Sequence, residues 1–203
     1  MNTIKTIIFD FGNVVGFFDH RRAVDRLVGH AAMSADELYA LICDDELEDD
    51  VESGRMKSGE FLRRFRELGG LRCDLEFIAS TLADIFHANE EVCSLLPRLK
   101  PRYRILLGSN TNEVHARHFR VQFADSLRHF DHLVLSYEIG VRKPQRPFFE
   151  NCQRFADCKP SECLFIDDLA ANVAGARAFG WNAMQYAADN GLAGELQAAG
   201  VIL

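Results

Sequence analysis

Apolar positions recur along this chain in two rhythms, and each rhythm predicts its own element. Short runs rich in β-branched and aromatic residues occur at Thr6–Phe9, Tyr103–Gly108, Leu133–Ser136, Cys163–Ile166 and Asn182–Tyr186. Apolar runs of about 4–8 residues bounded by turn residues predict strands buried on both faces, as in parallel sheets. Elsewhere the apolar residues fall three and four apart, the helical spacing. One helix is expected from about His20 to Val28, behind Asp19 as a cap, and another from Ser34 toward Ile42. The second opens on Ser34-Ala35-Asp36-Glu37, the S-x-x-E form of a capping box. Stripes at Phe61, Leu62, Phe65, Leu68 and at Ile78, Leu82, Ile85, Phe86 predict two more. Further helices are expected from Asn112 to about Phe123, along Phe148, Phe149, Cys152 and Phe155, from Ala170 to Phe179 before Gly180, and from Leu192 to about Ala199.

Strands alternating with helices predict βαβ units with right-handed crossovers, hence an α/β fold: a Rossmann-like parallel sheet flanked by helices. Residues 17–90 break the alternation. They show four short amphipathic helices, no strand pattern, and more length than a crossover needs. They are expected to form a small all-helical cap inserted after the first strand, standing over the carboxyl ends of the strands. Residues 1–16 and 91–203 would then make the core.

Composition adds exclusions. The 203 residues carry a net charge of −7, the wrong sign for a nucleic-acid surface. Six scattered cysteines contain no C-x-x-C pair, and nothing completes Cys158 and Cys163 into a zinc site, so reduced thiols are expected. Met1–Lys5 run straight into the first strand without a signal core, and no apolar stretch approaches the roughly 20 residues of a membrane span. The expectation is a cytoplasmic protein with no membrane partner; the sequence does not indicate an oligomeric state.

The candidate chemistry lies where strands end. Asp10 closes the first strand and Asp167-Asp168 close the fourth, and in open α/β sheets the ligand crevice lies at those ends. Three carboxylates on one rim would repel one another, and a bound cation relieves them; their oxygens suit Mg²⁺. Ser109 and Asn110 offer a hydroxyl and an amide at a strand-to-helix junction that favours an anion, and Lys143, held by Pro144, brings a positive charge. An anion pocket beside a metal pocket suits phosphoryl transfer. Each piece has a plainer reading: Asp10 and Ser109-Asn110 as helix caps, Lys143 as a solvated turn residue. The acidic run Asp44–Glu52 reads as a solvated face, His115 and His118 as surface residues, and the basic clusters at 63–66 and 98–104 lack base-stacking aromatics.

Asp10 with Gly12-Asn13-Val14-Val15, then Leu107-Gly108-Ser109-Asn110, then Gly140-Val141-Arg142-Lys143-Pro144, then Phe165-Ile166-Asp167-Asp168 through Asn172–Ala176 stand in order across nearly the whole chain. This series resembles the haloacid dehalogenase (HAD)-like hydrolase superfamily, closest to its branch of small sugar-phosphate phosphatases of the α-glucose-1-phosphate phosphatase kind. The resemblance implies a HAD-like core and a phosphatase acting on a small phosphorylated metabolite. Asp10 would be the catalytic nucleophile, forming an aspartyl-phosphate. Mg²⁺ would be held by Asp10, the Gly12 carbonyl and Asp168, with Asp167 beside or on the metal. Ser109 and Lys143 would be catalytic by gripping the phosphoryl group, with Asn110 helping to place it. The superfamily's phosphatases commonly carry a second aspartate two residues after the nucleophile, and here Gly12 stands there. Asp19 or His20 could supply the missing proton donor. Two alternatives follow: a 2-haloacid dehalogenase, or a catalytically weak binding or regulatory protein.

Overall fold

A computed structural model describes residues 3–203; the first two residues of the expected 1–16 segment lie outside it. Five parallel strands form the main sheet in the order β5-β4-β1-β6-β7. They are β1 (Thr6–Phe9), β4 (Arg104–Ser109), β5 (His132–Leu135), β6 (Cys163–Asp167) and β7 (Asn182–Gln185). Strand β1 is central, pairing Ile8 with Leu106 of β4 on one side and with Phe165 of β6 on the other. The chain winds outward from β1 through β4 to β5, then crosses back to β6 and β7. The order therefore reverses beside β1, the place where a doubly wound sheet opens its crevice.

Side-chain alternation along β1 sorts the core into two layers. Ile7 and Phe9 join one apolar cluster and Ile8 the other, all three fully buried. The smaller cluster packs α10 (Arg146–Ala156) and α11 (Ala170–Phe179) on the sheet through Phe148, Phe149, Cys152 and Ala176. The larger takes α6 (Glu90–Leu99), α7 (Glu113–Gln122) and α12 (Leu192–Ala198), and runs on without a break into the inserted helices. Two short helices, α8 (Ala124–Leu127) and α9 (Ser136–Ile139), complete the connections around β5.

The insert holds α1 (Arg21–Leu27), α2 (Ala35–Ile42), α3 (Asp45–Glu52), α4 (Ser58–Leu68) and α5 (Leu75–Ala83). Ser34 and Glu37 make the capping box in both directions, as the S-x-x-E spacing predicts. Two expectations need correction. The segment is not all-helical: β2 (Gly16–Phe18) and β3 (Phe86–Ala88) pair antiparallel where the chain leaves and re-enters the core. Such three-residue strands are too short for a period-2 signal. The acidic run is also a helix, α3, capped by Asp44 and anchored by Leu47 and Val51, so its apolar stripe is two residues wide. At the base of the insert Phe11 stacks on Phe119 at 4.2 Å and meets Phe86 and Phe123 edge-on, joining the ribbon to α7.

Candidate active site

Buried strand ends bring the predicted carboxylates together. Asp10 follows β1 and takes the Ile166 carbonyl on its N–H, so β1 and β6 stay in register to their last residue. Asp10, Asp167 and Asp168 each present an oxygen within 4.8 Å of the others. Lys143 comes from the loop between α9 and α10, and its side chain is fully buried. Its Nζ lies 2.7 Å from Asp10 Oδ1 and 2.7 Å from Asp167 Oδ2. One ammonium thus bridges two acids, a geometry that excludes the solvated-turn reading of Lys143.

Each acid has a distinct environment. Asp10 Oδ1 also accepts the Phe11 N–H at 2.7 Å. Burial raises the Asp10 pKa to about 7 with help from the Asp167 and Asp168 charges, against the pull of Lys143. Asp167 is enclosed: Asn172 donates to both its oxygens and the Leu169 N–H to Oδ1, at the start of α11. Asp168 is half-buried and accepts from Asn13 Nδ2 at 3.0 Å. Burial raises its pKa too, opposed by that hydrogen bond. Burial alone would lower the Lys143 pKa, but Asp10 and Asp167 overcome it and hold the ammonium above its usual value.

Gly12 sits in the turn after Asp10, with Asn13 in the left-handed region at φ 55°. The turn's hydrogen bonds run from Gly16 N–H to Phe11 O and from Asn13 N–H to Gly16 O, so they do not use the Gly12 carbonyl. Ser109 ends β4, is buried, and lines the same cleft as Asp10 and Lys143. Asn110 also lines the cleft, but its carboxamide is engaged elsewhere. Oδ1 accepts the Lys143 N–H at 2.8 Å and Nδ2 donates to the Lys143 carbonyl at 3.1 Å. The Asn110 side chain thereby holds the backbone of Lys143.

The cleft measures about 210 Å³, and it is completed by further residues, among them Glu48, Glu52 and His115, which were expected on the surface. Glu48 and Glu52 of α3 line it, as do Arg142, His20 and His115. Arg142 meets α3 at three acids: Asp49 at 2.9 Å, Glu52 at 2.8 Å and Glu48 at 3.7 Å. Burial raises the Glu52 pKa to about 8, with Glu48 adding to the shift and Arg142 opposing it. His115, expected on the surface, packs edge-on against Phe86, and burial lowers its pKa to about 3, with His20 adding to the shift. Asp19 is exposed and caps the Arg21 N–H at 2.9 Å, so it does not line the cleft. The signal for Glu52 was its place one turn after Glu48, beside the Leu47/Val51 stripe. A larger groove of about 650 Å³ between α4, α5 and α7 contains none of the three clustered aspartates.

Comparison with known proteins points the same way. Residues 4–180 match the haloacid dehalogenase-like hydrolase family. The chain is 26% identical over 188 residues to a D-ribitol-5-phosphate phosphatase of Bacteroides thetaiotaomicron, covering 90% of this chain and 91% of that one. A HAD family enzyme of the same organism, solved with magnesium and inorganic phosphate, superposes with a TM-score of 0.80 at 24% identity, over 92% of this chain and 96% of its own. An L-2-haloacid dehalogenase of Xanthobacter autotrophicus with covalently bound chloropropionic acid superposes at 0.69 with 17% identity, over 99% and 85%.

Proposed function

The chain belongs to the haloacid dehalogenase-like hydrolases, and we propose that within them it is a Mg²⁺-dependent phosphatase of small phosphorylated metabolites, sugar or polyol phosphates foremost. The observation that carries the reading is the three-carboxylate cluster facing a fully buried lysine, in one cleft with Ser109. Two of its relatives bear on the substrate: one is named for a polyol phosphate, the other was crystallised with magnesium and phosphate. Residues 17–90 serve as the cap that covers the cleft.

The donor set fits Mg²⁺. Carboxylates on Asp10 and Asp168 and the uncommitted carbonyl of Gly12 are hard oxygens on one side of the cleft. Asp167, saturated by Lys143, Asn172 and the Leu169 N–H, steers the lysine more than it reaches a metal. When bound, the ion neutralises the carboxylates and the phosphate oxygens so that the two can meet. The Asp10 carboxylate then attacks phosphorus, aided by the Lys143 ammonium and the Ser109 hydroxyl, which grip the equatorial oxygens as charge builds on them. Water hydrolyses the resulting aspartyl-phosphate. Asn110 keeps Lys143 in reach through its backbone.

The test is a phosphate-release screen of sugar, polyol and acyl phosphates with and without Mg²⁺. Turnover that needs Mg²⁺ and vanishes in Asp10→Asn is expected; turnover untouched by that substitution would remove Asp10 from the chemistry. A dehalogenase reading draws on the shared fold. It predicts Mg²⁺-independent halide release from 2-chloropropionate, and leaves the Asp168 carboxylate without a task.

A further inference from the structure

Gly12 leaves the first strand's turn with no side chain to protonate a departing alkoxide, so the proton must come from elsewhere in the cleft. Asp19 is exposed and committed to capping α1. His20 and His115 line the cleft, but burial lowers the pKa of His20 and takes that of His115 to about 3, so burial disfavours the charged ring at both positions. Lys143 is shared between two carboxylates. Glu52 remains. It is 7% exposed, lines the same cleft as Asp10, and projects from the last turn of α3. Its Oε2 is sealed from solvent 2.8 Å from Arg142 Nη2, off the line of a hydrogen bond.

We propose that Glu52, delivered by the insert, is the general acid and base of this enzyme, taking over the task that position 12 cannot perform. The inference rests on the phosphatase reading above. Burial favours the protonated form at neutral pH, which is the form a leaving group needs. In the first step Asp10 Oδ forms a bond to phosphorus and the ester P–O bond breaks. The electron pair goes to the leaving oxygen, which takes the Glu52 proton and departs as an alcohol. In the second step the Glu52 carboxylate takes a proton from water as the water oxygen attacks phosphorus. The P–O bond to Asp10 breaks, its electron pair returns to the carboxylate, and Glu52 is again protonated. The groups that face Glu52 and set its titration are Glu48 on its own helix, Arg142 and Lys143 from the α9–α10 loop, and Asp10 from β1.

The experiment compares Glu52→Gln, Glu52→Asp and wild type with Mg²⁺ on two substrates: ribitol 5-phosphate, whose alkoxide needs a proton, and 2,4-dinitrophenyl phosphate, whose phenolate does not. For Glu52→Gln, kcat/KM on the alkyl ester should fall about 10²–10⁴-fold and on the aryl ester less than about threefold, with partial recovery in Glu52→Asp. The wild-type alkaline limb, present only with the alkyl ester, should disappear. Equal losses on both esters would assign Glu52 a binding or structural role and overturn the proposal. Wild type that released phosphate from neither would overturn the phosphatase reading itself, and this inference with it.

Discussion

Replacing Lys143 with methionine keeps most of the apolar stem of the side chain and removes the ammonium group with its charge and its N–H donors. In the native protein that charge sits 2.7 Å from two carboxylates at full burial. At an effective dielectric constant of about 20, each contact amounts to roughly 6 kcal/mol. Desolvating the ammonium cancels several kcal/mol of that. Breaking a buried pair and stranding its acids therefore costs about 3–5 kcal/mol. The loss should depend on pH in a definite direction. The Asp10 pKa is already above its unfolded value at about 7, and without the lysine it rises further. The folded protein then binds more protons than the unfolded chain through the neutral range, so stability falls as pH rises. Urea unfolding of Lys143→Met should show a deficit of about 3–5 kcal/mol at pH 8 and a smaller one at pH 5.5. Mg²⁺ should stabilise the variant more than wild type, since a cation can take over part of the missing charge. A deficit below about 1 kcal/mol, or one that does not change with pH, would refute the electrostatic account of the site.

Asp10→Asn should lose turnover yet melt no lower than wild type at pH 8 without metal, because the carboxylate it removes is one that burial disfavours; circular dichroism melts check it. Glu52→Gln should flatten the decline of wild-type stability between about pH 5 and pH 8, since the folded pKa of Glu52, at about 8, lies above its unfolded value. Parallel unfolding curves across that window would contradict it. Gly54 adopts φ +68° and an added Cβ would run into the Tyr137 carbonyl of α9. Gly54→Ala should therefore cost about 2–4 kcal/mol in urea unfolding, and a loss under about 0.5 kcal/mol would show that α3 does not press on α9. Beryllofluoride with Mg²⁺ should raise the wild-type melting temperature and leave Asp10→Asn unmoved.

The middle of the sheet was legible because β1, β4 and β6 are buried on both faces, so each reads as an apolar run between polar stops. The carboxylates were legible for a related reason: Asp10 and Asp167 interrupt those runs at their ends. What lay beyond reading was anything that depends on the insert meeting the sheet. Glu52 looks like any acid in an acidic helix until Arg142, distant in sequence, is packed against it. His115 lies on a polar segment, and the Phe86 ring that packs edge-on against it is distant in sequence. The ribbon strands were missed because Phe17 and Phe18 pair with residues at the far end of the insert. Asn110 illustrates a finer limit, for its residue type fits an anion site as well as the backbone clasp it makes.

That ribbon also bears on how the chain finds its fold. Strands β1 and β4 must pair although the whole insert lies between them in sequence. Closing so long a loop is entropically costly and slow. Once Gly16–Phe18 has zipped to Phe86–Ala88, residues 19–85 become a closed excursion, and the open segment between β1 and β4 shrinks to little more than α6. Zipping the ribbon itself closes residues 19–85, and since that cost grows only slowly with loop length, the insert can lengthen or shorten with little effect on the pairing of the central strands.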